Sequence, residues 1–277
     1  MKKILIPTDF SEHSEYALEV AAELAKKYNA SLVVLHMIGL SESVLTRDES
    51  QEMYEAIYYM RLAKKRFNDF LDRDYLKSIQ IEETVQHYRD FQEINAVAKD
   101  FGADLIVMGS HGARGLKEVF VGSNTEKVVR TSEVPVLVVK DRSAHFKLDK
   151  VVFACDFNLD FVKPFQRAWN FFKDTDTLFQ TVYVNTPNRF MTSSEMEEKA
   201  FNFYLRSGIE NIEVFDNTVY YCDTHLEHGL YSFCNKFEAD LAVIPTHGRR
   251  GLAHFFSQNI SEAIVNHSNL PIMTFKA

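Results

Sequence analysis

The sequence predicts an α/β protein built from two tandem open-sheet α/β sandwich domains, each with five mostly parallel strands. Two observations predict it: the chain contains itself twice, and within each copy short apolar runs alternate with amphipathic stretches. Lys3-Ile4-Leu5-Ile6-Pro7-Thr8-Asp9-Phe10 returns as Lys150-Val151-Val152-Phe153-Ala154-Cys155-Asp156-Phe157, an offset of 147 residues. Ala103-Asp104-Leu105-Ile106-Val107-Met108 returns as Ala239-Asp240-Leu241-Ala242-Val243-Ile244. His111-Gly112 returns as His247-Gly248, at an offset of 136, so the second copy is 11 residues shorter between these landmarks. Val134-Pro135-Val136-Leu137-Val138-Val139 is matched by Leu270-Pro271-Ile272-Met273-Thr274-Phe275. The short polar stretch from Asp141 to Leu148 reads as the linker, which gives domains at 1–141 and 149–277.

In the first copy the apolar runs are Ile4–Ile6, Leu32–Ile38, Ile79–Val85, Leu105–Met108 and Val136–Val139. Such runs, short and apolar on both faces, suit parallel strands covered by helices on either side. Between the first two, Tyr16, Val20, Ala21, Leu24 and Ala25 fall near one stripe at helical spacing, which predicts a helix over Ser11 to Tyr28. Met53 to Tyr75, Phe91 to Phe101 and Asn124 to Thr131 also read as helices. The two closing strands, Val134 to Val139 and Leu270 to Phe275, would leave unpaired edges in separate sheets; pairing with each other, antiparallel, removes both edges. An intramolecular pseudo-dimer is therefore expected, with further homo-oligomerisation left open.

Composition narrows the function. The chain has 277 residues, 46% of them hydrophobic and 25% charged, which is ordinary for packed globular domains. A formal net charge of −8 disfavours binding to nucleic acid, which needs clustered Lys and Arg to release counterions. The apolar run near the start ends at Pro7 and Asp9, too short for a secretory signal, and no later stretch is long enough to span a bilayer. Three cysteines, Cys155, Cys222 and Cys234, do not suggest a disulfide framework. The expectation is a cytoplasmic protein without a membrane partner.

In open parallel sheets ligands bind beyond the carboxyl ends of the strands, where strand order reverses. The residues at those ends are Pro7-Thr8-Asp9, His36-Met37 and Met108-Gly109-Ser110-His111-Gly112. The last group is followed by nine residues, Ala113 to Val121, and then by Gly122-Ser123 at the head of the helix expected from Asn124. Glycines let a main chain wrap phosphate closely, and a helix start adds free N–H groups and a positive dipole end. The combination reads as an anion cradle.

This pattern, Gly-x-x-Gly, nine residues, Gly-Ser, resembles the ATP-binding signature of the universal stress protein family, and the strand ending in Pro7-Thr8-Asp9 resembles theirs as well. The resemblance covers essentially the whole chain as a tandem pair. It implies a Rossmann-like fold and a bound adenine nucleotide, ATP, in the first copy. Asp9 and the backbone near Met37 would hold adenine and ribose; Gly109, Gly112, Gly122 and Ser123 would contact ribose and phosphates, with Asn124 adjacent. Pro7, Thr8, Met108 and His111 complete the candidate set as their immediate neighbours.

Several of these residues also have a purely structural reading. Asp9 suits the N-cap of the helix near Ser11, and Ser123-Asn124-Thr125-Glu126 has the form of a capping box. Asn259-Ile260-Ser261-Glu262 keeps that form in the second copy, while Gln258 replaces the Gly122 equivalent and Pro245 the Gly109 equivalent. The second copy is thus expected not to bind ATP in the same way, although Asp156 leaves room for a smaller or different ligand. The repeated His111 and His247 fit backbone-bonding loop residues better than acid–base groups. The aromatic-rich second half, including Phe165, Trp169, Phe203 and Tyr204, fits core packing better than an apolar ligand pocket.

Cys222, His225, His228 and Cys234 have zinc-compatible side chains, but a helix from about Leu226 would put His228 and Cys234 on different faces, so no metal is expected. No Walker, kinase or nucleophile-elbow motif is present in the sequence. A nucleotide-binding stress-response regulator is therefore expected rather than an enzyme. Slow ATP hydrolysis stays open in the first site, with Asp9 as a candidate Mg²⁺ ligand, and a nucleotide-free interaction module is the remaining alternative.

Overall fold

A computed structural model of the chain describes residues 1–39, 49–88, 93–110, 123–143, 146–209, 212–246 and 270–277. The first repeat runs β1 (Lys3–Thr8), α1 (Glu12–Tyr28), β2 (Ser31–Gly39), α2 (Glu49–Leu71), β3 (Ile81–Tyr88), α3 (Glu93–Asp100), β4 (Leu105–Gly109), α4 (Ser123–Thr131) and β5 (Val136–Val139). The second runs β6 (Lys150–Ala154), α5 (Val162–Phe172), β7 (Leu178–Asn185), α6 (Ser193–Ser207), α7 (Ile212–Asp216), β8 (Val219–Cys222), α8 (Leu226–Phe237), β9 (Leu241–Thr246) and β10 (Ile272–Lys276).

The strands form a single ten-stranded sheet in the order β3-β2-β1-β4-β5-β10-β9-β6-β7-β8. Every pairing within a repeat is parallel. The antiparallel exception is the join: β5 pairs β10 through Val138↔Ile272, Leu137↔Met273 and Val136↔Thr274. The expected pairing of the two closing strands is therefore present, and it turns two five-stranded sheets into one.

Strand burial follows from this position between helical layers. Ile4, Ile6, Leu32, Val34, Leu105 and Val107 enter one core, while Leu5, Val33, Leu35, Ile106 and Met108 enter the core on the opposite face. The alternation is the two-residue period of a strand, and both faces are apolar because both are covered. The first core is continuous across the repeats, from Ile4 and Leu137 to Met273 and Phe153.

A repeated aspartate aligns the strand starts. Asp104 Oδ2 accepts the backbone N–H groups of Lys2 and Lys3, and Asp240 Oδ2 accepts those of Asp149 and Lys150, the latter two both at 2.9 Å. At the join, the Arg167 guanidinium donates to the Glu133 carbonyl, and the Lys276 ammonium to the Thr131 carbonyl at 3.2 Å. Arg142 of the linker folds back onto α1, with Nη2 2.9 Å from Glu19.

Several boundaries differ from the sequence reading: α2 starts at Glu49 rather than Met53, and β3 runs on to Tyr88 rather than ending at Val85. The helix expected to reach Tyr75 ends at Leu71, because Arg73 Nη1 donates to the Asp69 and Asp72 carbonyls and a separate turn, Asp74–Leu76, buries Leu76. The third strand starts at Ile81 rather than Ile79, whose N–H closes that turn onto the Leu76 carbonyl at 3.0 Å. Among the described residues no helix is long and apolar enough to cross a membrane.

Candidate functional site

Strand order reverses between β1 and β4: the chain proceeds outward from β1 to β2 and β3, then returns to place β4 and β5 on the other side. The β1–β4 ladder stops at Leu5↔Ile106, whereas β1 stays paired with β2 as far as Thr8↔His36. Pro7 has no N–H with which to extend a ladder, and past it the two strand ends part. In the second repeat, where Ala154 stands in place of Pro7, the β6–β9 ladder runs one pair further, to Phe153↔Val243.

The turn after β1 is built from side-chain hydrogen bonds. Thr8 Oγ1 accepts the Phe10 N–H at 2.9 Å, and Asp9 Oδ1 accepts the Ser11 N–H at 3.0 Å and the Ser14 hydroxyl at 2.6 Å. Ser11, not Asp9, caps α1, accepting the Ser14 N–H at 3.3 Å. Asp9 is thus one step removed from the cap, exposed, and its Oδ2 has no partner among the described residues. Partial burial works against its charge, but hydrogen bonds from Ser11 and Ser14 outweigh that and hold the carboxyl below the usual aspartate value, so it is ionised at neutral pH.

Phe10 turns the chain with φ of 65°, a left-handed conformation costly for a bulky side chain. Packing holds it there: its ring lies 4.5 Å from His36, 5.1 Å from Phe67 and 5.6 Å from Phe70, centroid to centroid. His36 Nδ1 in turn lies 2.9 Å from the Thr8 carbonyl. The second repeat reproduces this turn, with Phe157 at φ of 54°, the Cys155 sulfur accepting the Phe157 N–H and Asp156 Oδ1 accepting the Asn158 N–H. The turn itself is therefore architecture, and what distinguishes the first repeat lies on the β4 side.

On that side Gly109 ends β4 against the first turn of α1. A Cβ on it would fall 2.2 Å from the His13 carbonyl oxygen, so glycine is required there by the close approach of two backbones. The buried Thr125 donates from Oγ1 to the Gly109 carbonyl at 3.2 Å, which seats the start of α4 over the end of β4. Ser110 is buried, its N–H bonded to the Val139 carbonyl at 2.9 Å.

Of the residues singled out from the sequence, Pro7, Thr8, Asp9, Met108 and Gly109 meet at the β1–β4 switch point. Met108 is buried in the core, Met37 is partly buried near the end of β2, and Asn124 is exposed on the first turn of α4. His111, Gly112 and Gly122 lie outside the described residues, as does the side chain of Ser123, on which the capping-box reading rests. Sequence reasoning missed Ser14, for which the Ser11-x-x-Ser14 spacing is the available signal. It named His36 at a strand end and Thr125 within the Ser123–Glu126 box, but not their bonds to the Thr8 and Gly109 carbonyls, which only the tertiary fold brings within reach.

The remaining signals resolve simply. Phe165 packs edge-on against Phe203 at 5.3 Å and Tyr204 at 5.4 Å, and Phe157 stacks on Tyr183 at 5.7 Å, so these aromatics build the core. Cys234 is buried while Cys222 is exposed, and His228 pairs with Asp223 at 2.7 Å. No group of three or more His, Cys, Asp or Glu side chains able to hold a metal occurs among the described residues.

Comparison with known proteins agrees with this architecture. The model of the universal stress protein family matches residues 1–140 and again 147–276. Universal stress protein MJ0577 of Methanocaldococcus jannaschii is 32% identical over 157 residues, which cover 52% of this chain and 97% of that protein. Universal stress protein YxiE of Bacillus subtilis is 32% identical over 146 residues, covering 50% of this chain and 98% of its own length. The crystal structure of a universal stress protein from Archaeoglobus fulgidus shares the fold along 99% of this chain and 98% of its own, with a TM-score of 0.64 at 19% identity. Repeat, sheet topology and family match converge: the chain belongs to the universal stress protein family and carries two copies of its domain in tandem.

Proposed function

We propose that the first repeat binds one adenine nucleotide, ATP, in the crevice between β1 and β4, and that occupancy of this site rather than turnover is the signal a cytoplasmic stress-response regulator conveys. The observation that carries the reading is the placement of an ionised, exposed carboxylate with one unpartnered oxygen, Asp9, across the switch point from Gly109 and the start of α4. Such a crevice is where parallel sheets take nucleotides. We take residues 1–141 and 149–277 as the two domains. Asp9 and the Met37 backbone would hold ribose and adenine beside Pro7, Thr8 and Met108. Gly109, His111, Gly112, Gly122, Ser123 and Asn124 would form the phosphate side, where free N–H groups at the head of α4 favour an anion. A Mg²⁺ ion on the phosphates would come within reach of Asp9.

The second repeat argues for a single site. Pro245, buried within β9, stands at the Gly109 position, and the β6–β9 ladder runs one pair further than the β1–β4 ladder. Isothermal titration of the purified chain with ATP is expected to give one site per chain, lost in Gly122→Gln, which copies Gln258 of the second repeat. Two equivalent sites, or unchanged binding by that variant, would refute the assignment.

A further inference from the structure

The second repeat holds a cleft of about 540 Å³ lined by Asp156, Phe157, Asn158, Arg189, Lys199 and Asn202. These residues come from the segments after β6 and after β7 and from α6, on the β7 side of β6 and opposite β9 in strand order. The cleft is therefore the counterpart of the Asp9–Met37 side of the first repeat's site, and lies away from the side of β6 on which Pro245 replaces Gly109.

Its walls are fixed by bonds that need no ligand. Asn185, buried at the end of β7, donates from Nδ2 to the Met191 carbonyl at 2.9 Å and accepts the Met191 N–H at 3.1 Å. This closes the loop that carries Arg189, which ends the short helical turn Pro187–Arg189. A capping box between Thr192 and Glu195 fixes the first turn of α6 and with it the helix that presents Lys199 and Asn202. The floor is Phe157, 1% exposed and stacked on Tyr183, which leaves little aromatic surface for a nucleobase.

The charges lining the cleft are not matched. Arg189 and Lys199 make no side-chain hydrogen bond or ion pair with any described residue, and the carboxylate on the lining, Asp156, uses Oδ1 for the Asn158 N–H. A lone exposed lysine would be an ordinary solvated side chain. Two unpartnered cations from separate, rigid elements converging on one concavity with a carboxylate and two amides provide something more specific: donors for a phosphate and an acceptor for a hydroxyl. The volume falls within the roughly 300–1,000 Å³ of small-molecule sites.

We propose that this cleft binds a small phosphorylated polyol, its phosphate between Arg189 and Lys199 and a hydroxyl donated to Asp156. The test is isothermal titration of the full chain with ribose 5-phosphate as the probe, in the presence of saturating ATP. One saturable site is expected, retained in Gly122→Gln, weakened by about tenfold or more in Arg189→Ala and in Lys199→Ala, and largely kept in Lys199→Arg. Ribose without phosphate is expected not to compete. Circular dichroism confirms that each variant is folded. No saturable binding below about 1 mM, equal binding by both alanine variants, or loss of binding in Gly122→Gln would each overturn the proposal.

Discussion

Gly109 stands so close to His13 that a methyl group on it would lie 2.2 Å from the His13 carbonyl oxygen and 2.4 Å from the carbonyl carbon. Both contacts are with backbone, which cannot rotate away. In the second repeat Pro245 occupies this position, and there α5 begins only at Val162, a short 3-10 turn at Leu159–Phe161 standing where α1 has its first turn. The glycine thus sets how near α1 approaches the end of β4. Gly109→Ala is expected to destabilise the protein by about 1–3 kcal/mol, the usual penalty of overpacking, read as a lowered Tm. An unchanged Tm would show that the close approach is not maintained in solution.

Asp9 provides a second prediction, in which ligand and stability effects separate. Asp9→Asn is expected to weaken ATP binding by about 10- to 100-fold, the range for losing hydrogen bonds to a charged group, while Asp156→Asn leaves it unchanged. The pH dependence has a definite sign. The folded-state pKa of Asp9 lies below its ordinary value, so its contribution is fully present above about 4 and is lost as pH falls through the lowered folded value. The ratio of wild-type to Asp9→Asn affinity is accordingly expected to stay flat from pH 8 to pH 5. A ratio that collapses within that range would mean that the carboxyl titrates higher than its hydrogen bonds imply.

How far the sequence carries can be judged from particular residues. The strands were legible because burial on both faces leaves uninterrupted apolar runs such as Leu105 to Met108, and the repeat doubled each signal. The β5–β10 join was legible because two apolar runs after prolines cannot both remain open edges. Phe10 was not legible in its left-handed turn, since local preference opposes it and only contacts with His36, Phe67 and Phe70 hold it. The reason for Gly109 was also hidden, because its partner His13 is brought near only by the packing of α1 on β4. Comparing the repeats pointed to Asp156 but not to Arg189 and Lys199, which lie where the two repeats diverge in length.

A third prediction concerns turnover. The switch-point groups described here are a carboxylate already bonded to Ser11 and Ser14, the Gly109 backbone and the head of α4; none is a base poised to activate water. Steady-state ATP hydrolysis is expected to fall well below the roughly 1–10³ per second of ordinary enzymes. A purified sample that turns over ATP in that range, and loses the activity on Asp9→Asn, would reclassify the protein as an ATPase.

The last prediction tests the join. Leu137 and Met273 are register partners across β5 and β10, both wholly buried, and both belong to the core that runs through the two repeats. Because sheet and core are continuous there, damage at Met273 is felt on both sides. Met273→Ala removes a buried side chain at an expected cost of about 2–5 kcal/mol. If the repeats fold as one unit, calorimetry of the wild type shows a single transition whose calorimetric and van't Hoff enthalpies agree, and in Met273→Ala that transition moves down as a whole. Trp169 fluorescence follows the second repeat, since the chain's single tryptophan lies in α5. Hydrogen exchange at Leu5 and Ile106 follows the first. Coincident shifts of both are expected; a loss confined to the Trp169 signal, with Leu5 and Ile106 still protected, would show that the shared sheet joins two independently stable halves.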